Sequence, residues 1–406
     1  MGEWEPVTLQ TVTTVLGDGL HGTPIYDDQG EYYFINGNNL GNGRISLKQE
    51  TRRVGVEEYE KYKKELNERT ILVSINGTLG NIALYDGEPC ILGKSACYFN
   101  IDRAVDRLYV KYVLMDKRFQ SYIHEYSTGT TIKNMPLKAM REFAFELPDP
   151  PEQRAIASVL SSLDAKIDLL HRQNKTLEAM AETLYRQWFV ERCPEDLEGE
   201  AEEGWVAVPL GEFGMIVCGK TPSKKIHYYH NGSIPFIRIP DMHGQVYLTY
   251  SSDSITEKGQ ASQSNKTLPL GSICVSCIAT VGLVSITTRE CQTNQQINSI
   301  IPSKEHYRYY LYLLMLNLYE DLHAMASGGT ATLNLNTSNF KSMSVSAPPD
   351  KVLRDFHQVI APLFERMRHN YDQLTTLTNL RDTLLPKLMS GEVRVEMKQM
   401  TDGEAN

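Results

Sequence analysis

The tightest constraint on this chain is a heptad of apolar positions that occurs twice, each time after a Pro-Pro pair. The first copy reads Ile156, Leu160, Leu163, Ile167, Leu170, Asn174, Leu177, Ala181, Leu184, Trp188, stepping four, three, four, three without a slip. A shift of 200 gives Phe356, Ile360, Leu363, Met367, Asn370, Leu374, Leu377, Arg381, Leu384, Leu388. Spacing of this kind is a coiled-coil seam. The chain therefore reads as a duplicated unit, a globule followed by a long helix. Helices of about 35 residues would each be roughly 50 Å long. If they pair antiparallel about their midpoints, Asn174 faces Asn370, and a buried pair there would fix register. The competing reading is that either Asn is a solvated interruption of the seam.

Both helices carry end signals. Asp149-Pro150-Pro151-Glu152 offers an N-cap acid, prolines in the first turn, and a glutamate at capping-box spacing. Ser390-Gly391 suits a C-cap, while Pro362 predicts a kink and Pro386 an early end.

The globules repeat as well. Trp4-x-x-Val7-x-Leu9 matches Trp205-x-x-Val208-x-Leu210, and Gly30 to Ile35 matches Gly232 to Ile237. ILVSINGTLGNIALYDG (71–87) lies over SICVSCIATVGLVSITT (272–288), with Thr78 and Gly80 on Thr280 and Gly282. Alternating β-branched residues and glycine turns mark these as hairpin strands. Helical patterns follow at 107–126 and 305–326, then polar loops at 127–135 and 327–335. The segments are 1–148 globule, 149–190 helix, 191–204 acidic linker, 205–347 globule, 348–391 helix and 392–406 flexible tail. Each globule is of ordinary domain size and mixed α+β.

No apolar run approaches 18 residues, and the acidic start Met1-Gly2-Glu3-Trp4-Glu5 is no signal peptide, so a cytoplasmic protein is expected. Seven scattered cysteines suit reduced thiols. The net charge of −9 argues against nucleic acid until it is divided. Residues 191–204 alone hold seven acids against one base, whereas residues 205–347 hold ten bases against eight acids. Any DNA affinity must come from local patches or from a partner protein.

Several strings imitate catalytic motifs. Gly214 to Thr221 spells a phosphate-binding loop, but its variable positions are strand-like and Pro222 follows instead of a helix. Gly17 to Gly22 spells a dinucleotide fingerprint but runs into Thr23-Pro24. Cys274 and Cys277 have zinc spacing, yet residues three apart on a strand face opposite ways. His227 and His230 sit in a Lys- and Tyr-rich loop with no acidic ligand in reach. Asp149-Pro150-Pro151 lacks the aromatic that an adenine methyltransferase stacks on its base. Asp350 and Glu396-Met397-Lys398 are separated by a whole helix, too far for one metal shell. Tyr32-Tyr33 and Tyr228-Tyr229 suit packing better than stacking on a flipped base. The reading is of no catalytic residue and no metal.

LPDPPEQRAIASVLSSLDAKIDLLHRQNKTLEAMAETLYRQWFV and PLFERMRHNYDQLTTLTNLRDTLLPKLMSGEVRV resemble the central and distal conserved regions of the specificity subunit of Type I restriction-modification enzymes. GTPIYDDQGEYYFINGNNLGNGRI, GKTPSKKIHYYHNGSIPFIRIPD and TNQQINSI resemble segments of its target recognition domains. The resemblance implies an α+β fold: two tandem-repeated α/β target recognition domains separated by two long helices forming an antiparallel coiled coil. It implies that each domain reads one half of a split site in double-stranded DNA. The helices would act as a ruler and would dock two modification subunits, with motor and endonuclease subunits in the full complex. S-adenosylmethionine, ATP and Mg would belong to those partners, and this chain would hold no cofactor, perform no catalysis and enter no membrane. The alternative is a coiled-coil scaffold that binds proteins rather than DNA.

Readout chemistry favours Arg for guanine, Asn or Gln for adenine, and Ser or Thr for either. In the first globule the candidates are Asn36, Asn38, Asn39, Arg44, Thr78, Lys94, Lys133 and Asn134. In the second they are Lys220, Lys224, Lys225, Arg238, Asp241, Thr280, Gln295, Asn334 and Asn336. The lysines suit phosphates better than bases, and some of the amides will serve turns and strand ends instead.

Overall fold

A computed structural model describes residues 4–41, 43–130, 132–191, 205–327 and 333–395. The acidic linker from 192, residues 328–332 of the second polar loop and the tail from 396 lie outside the described residues. The chain divides into two compact units, Met1–Ile167 with Leu377–Asn406, and Asp168–Thr376. The units do not follow the linear segments, because each contains a stretch of both long helices.

In the first unit a six-stranded sheet runs in the order Thr13–Asp18, Ala96–Ile101, Thr70–Asn76, Thr78–Leu84, Gly43–Ile45, Leu40–Gly41. Its central hairpin pairs Asn76 with Thr78 across Gly77, whose φ of +74° is the left-handed conformation that glycine adopts freely. Ile71, Val73 and Ile75 enter a core that includes Ile156, Leu160, Leu385 and Leu388 of the long helices. Leu72 points into a second core with Ile35, Leu40 and Leu92. Both faces are covered, which explains why this strand reads as an almost continuous apolar run. A three-stranded sheet (Arg53–Val54, Tyr32–Ile35, Cys90–Leu92) and a ribbon (Glu5–Thr8 with Ala144–Leu147) complete the unit.

The second unit repeats the plan. Its sheet runs Gly214–Cys218, Ile297–Pro302, Ile273–Ile278, Thr280–Thr287, Tyr247–Leu248. A three-stranded sheet (Asp253–Ile255, His230–Ile237, Gln292–Thr293) and a ribbon (Val206–Pro209 with Ser344–Ala347) follow as before. The hairpin registers make Ile273 the counterpart of Ile71, one place off the end-to-end alignment of 71–87 with 272–288. Cys277 lies in one core and Cys274 in the other, as opposite faces require. Neither helical pattern is one helix. Asp116 ends Arg107–Met115 and caps Lys117–Glu125 by accepting the Arg118 amide at 2.9 Å. The second pattern divides into a tight turn at Glu305–Tyr307, then Arg308–Asn317 and Tyr319–Ala326.

The long helices span Pro150–Tyr185, closing in a wider turn at Arg186–Val190, and Asp350–Met389. Asp149 caps the first by accepting the Glu152 amide at 2.9 Å. Glu152 itself does not complete a capping box. Its carboxylate accepts Trp4 Nε1 at 3.0 Å and pairs with Arg394 at 2.6 Å. The second helix continues through Pro362 and runs past Pro386 to Met389, correcting the expected early end. Each proline forfeits one amide hydrogen bond, but fully buried Ile360, Phe364, Leu388 and Met389 hold the flanking turns in place. Gly391, at φ +71°, follows as the C-cap predicts.

The helices pair antiparallel within each unit. Asp164 meets Arg381 at 3.3 Å in the first, and Asn370 Nδ2 donates to Asn174 Oδ1 at 2.8 Å in the second. Both Asn residues are buried, so they form a pair and not a solvated interruption. Ile156, Leu160, Ile167, Leu170, Phe356, Ile360, Met367 and Leu374 are buried seam positions, whereas Leu163, Leu177, Leu184, Leu363, Leu377 and Leu384 are half-buried. The buried face is wider than a two-helix seam: Ala157, Phe364, Tyr371 and Leu385 also face inward, because the helices pack on the sheets as well as on each other. Trp188 and Phe189 close the first helix against Phe356, with ring centroids 5.6 and 4.7 Å away. No helix among the described residues is long and apolar enough to cross a membrane.

Candidate nucleic-acid interface

In both units the polar loop is clipped to the tip of the central hairpin. The first unit uses Gly77 N to Lys133 O at 3.0 Å, Met135 N to Ile75 O at 2.8 Å, and Asn76 Nδ2 to Asn134 Oδ1 at 3.2 Å. The second uses Ala279 N to Leu333 O at 3.0 Å and Leu335 N to Cys277 O at 2.8 Å. Backbone bonds thus fix the loop and leave the side chains of Thr78, Lys133, Thr280 and Asn334 exposed.

The second unit carries a groove of about 600 Å³ whose lining includes Lys224, Arg238 and Gln295 together with Thr221, His227 and His230. Thr221 Oγ1 donates to Gln295 Oε1 at 2.8 Å, and Gln295 is exposed. The Arg238 guanidinium is ion-paired with Asp253. Asp241 accepts the backbone amides of Arg238 and Ser252 at 2.8 and 3.0 Å, so its carboxylate shapes the turn beside the groove. Lys220 and Lys225 are exposed nearby in sequence, whereas Asn336 caps the helix Thr337–Ser342 by accepting the Asn339 amide.

The corresponding pocket of the first unit is about 100 Å³, includes Asn36, Asn38, Asn39, Tyr26, Lys48 and Arg52 in its lining, and adjoins one of about 420 Å³ that shares Thr51 and Arg52. Asn39 is buried, accepting Asn36 N at 3.0 Å and donating to Ser46 O and Thr51 Oγ1 at 3.1 Å. Asn36 Oδ1 accepts from Ser95 Oγ at 3.0 Å. Asn38, Arg44 and Lys94 are exposed. Sequence reasoning missed Lys48, Arg52, Thr221, His227 and His230 as lining residues. Their clustering depends on strand pairing, and the one local signal was positive charge just beyond each turn.

The catalytic look-alikes resolve into structure. Gly214–Cys218 is a strand paired with Ile297–Pro302, not a phosphate loop. Burial pushes the Cys274 thiol up to about 12 and that of Cys277 up to about 11, as befits inert core residues. No cluster of three metal-ligating side chains occurs among the described residues. Tyr32 is stacked on Tyr59 at 3.8 Å, and Tyr33 lies under Arg53.

Comparison with known proteins adds an independent line. The profile of the Type I restriction modification DNA specificity domain matches residues 1–179 and again 202–379. The specificity subunit of the Type I restriction enzyme HindI of Haemophilus influenzae is 34% identical over 333 residues, 66% of this chain and 72% of that one. The MjaIX specificity subunit of Methanocaldococcus jannaschii is 29% identical over 303 residues, 71% of this chain and 69% of its own. The crystal structure of a Type I restriction-modification S subunit from M. genitalium shares the fold, with a TM-score of 0.61, 19% identity and 97% of each chain covered.

Proposed function

The chain belongs to the Type I restriction-modification DNA specificity family, and from that premise we propose that it reads a bipartite site in double-stranded DNA, one half with each globule. The observation that carries the reading is duplication at the rim. Both units hold a polar loop on a hairpin tip by backbone bonds, joined in the first unit by the Asn76–Asn134 side-chain bond, and the exposed Thr78, Lys133, Thr280 and Asn334 side chains can meet base edges and phosphates. Rigid backbone beneath adaptable side chains is what a surface needs if its target sequence varies while its frame does not. The paired helices set the spacing of the two halves, and two domains approaching one face of a duplex would read sites about one turn apart, roughly 34 Å.

Catalysis then lies with partners. Two modification subunits dock on the helices and methylate adenine with S-adenosylmethionine, and motor subunits add ATP- and Mg-dependent cleavage. A near-neutral globule is sufficient because the assembled complex, not this chain alone, encloses the DNA. The test is to co-express the chain with its modification subunit in a methylation-free host and map modified adenines across the genome. One bipartite motif is expected, and exchange of residues 205–347 for those of a relative should alter one half only. An assembled, cofactor-loaded complex that modifies no motif would overturn the reading.

A further inference from the structure

A duplicated chain has a pairing problem. Its first helix resembles its second, so a first helix could pair equally well with the first helix of another copy. The seam residues answer this in a specific way. Asn174 is bonded to Asn370, but the duplicated positions hold Leu374 and Leu170. Asp164 is paired with Arg381, but the duplicated positions hold Phe364 and Ala181.

Replacing the second helix by a copy of the first would set Leu170 opposite Asn174 and Ala181 opposite Asp164. Replacing the first by a copy of the second would set Leu374 opposite Asn370 and Phe364 opposite Arg381. Every self-pairing therefore strands a seam amide and forfeits the Asp164–Arg381 contact, although Asp164 keeps Lys111 and Tyr112 and Arg381 keeps Asp382. Asn370 is fully buried, and its Nδ2 makes its bond to Asn174 Oδ1, so a leucine opposite it removes that bond from a buried amide. We propose that Asn174–Asn370 and Asp164–Arg381, set against Leu170, Leu374, Ala181 and Phe364, form a heterotypic pairing code by which the chain closes on its own second helix and rejects the helices of another copy.

The code acts by mismatch and does not need the native pairs to be strongly stabilising. A lone buried polar residue at one seam position selects partners in coiled coils through the same physics.

The test keeps the whole chain. A protease site inserted between 195 and 203 is cut in the folded protein, leaving two associated fragments. Nicked protein is mixed with a ¹⁵N-labelled nicked preparation in urea below the unfolding transition, and incubation continues until light–heavy hybrids of first and second fragments equilibrate. Native mass spectrometry then counts pairings. Indiscriminate pairing would give first–first, first–second and second–second in statistical shares of a quarter, a half and a quarter. The code predicts that the product of the two self-pairs over the square of the mixed pair falls about 100-fold or more below its statistical value. Self-pairs at statistical shares would overturn the proposal. The double variant Asn174→Leu/Asn370→Leu should raise the ratio about tenfold, and an unchanged ratio would remove the Asn pair from the code.

Discussion

In the first unit Asp164 accepts hydrogen bonds from Lys111 and Tyr112 at 2.8 Å and pairs with Arg381, whereas the second unit fills the matching positions with Phe364, Tyr312, Leu313 and Ala181. One site uses a charge network with Lys111 only 9% exposed, and the other a ring stack of Phe364 on Tyr309 at 4.2 Å. The same backbone plan tolerates both because each set is satisfied internally. What it will not tolerate is one member moved alone. Phe364→Asp should therefore produce the largest effect, a loss of about 5 kcal/mol in denaturant unfolding, since it buries a carboxylate among the rings of Tyr309 and Tyr312. The converse variant, Lys111→Tyr/Tyr112→Leu/Asp164→Phe/Arg381→Ala, should be neutral or stabilising by about 1–4 kcal/mol, because it removes the charges of the network together with the Tyr112 hydroxyl that donates to Asp164. A converse variant as damaging as Phe364→Asp would show that the two sites differ in more than their side chains.

That contrast marks how far the sequence could be read. The seam, the two copies and the facing of Asn174 with Asn370 were legible because heptad phase is a local, one-dimensional property. The assignment of Cys274 and Cys277 to opposite faces followed from the two-residue period of a strand. Other features depend on contacts between distant segments. Glu152 spells a capping box, but only the fold brings Trp4 and Arg394 to its carboxylate. Pro386 predicts an early end, and only the burial of Leu388 and Met389 shows that packing overrides that local preference. Among the site residues, Lys224, Arg238 and Gln295 are brought to one groove, while Asn39 and Asn336 turn out to support turns and caps. A single asparagine carries no local mark that separates these uses.

The rims offer the second comparison. The groove of the second unit gathers cationic and amide groups in one cavity, whereas the first unit divides its space between pockets of about 100 and 420 Å³, and its Asn36 and Asn39 bond to their own surroundings. Arg238→Ala should relax discrimination at one position of one half-site by about 1–3 kcal/mol, read as degeneracy in the methylation motif. Asn39→Ala should instead lower stability by about 1–3 kcal/mol, since it removes the partner of Asn36 N and Ser46 O, and should leave the motif unchanged. Lys94→Ala, at an exposed position in the first unit, should weaken binding to all sequences alike and reduce the salt slope by about one. A motif change from Asn39→Ala would reverse the assignment of roles between the two rims.

The smallest effect separates the units by acid. Burial by itself would raise the Asp164 carboxyl, but Lys111, Tyr112 and Arg381 outweigh it and hold the group below the usual carboxylate range. Glu178 lies in the second unit, where burial pushes its carboxyl up and the Tyr312 hydroxyl at 3.0 Å only partly offsets that. The signs are opposite. A depressed folded value means that Asp164 stabilises the first unit fully above the unfolded value of about 3.9 and loses that contribution as pH falls through its folded value. A raised folded value means that ionised Glu178 burdens the second unit, and the burden lifts as pH falls through that folded value toward about 4.3. Hydrogen exchange of the two sheets between about pH 6 and 3 should therefore show the second unit gaining protection before the first begins to lose it, judged against Glu178→Gln and Asp164→Asn. Glu178→Gln should flatten the upper part of this window in the second unit alone, and Asp164→Asn the lower part in the first. If both variants shifted both sheets together, the units would be opening as one, and the independence that the comparison assumes would be lost.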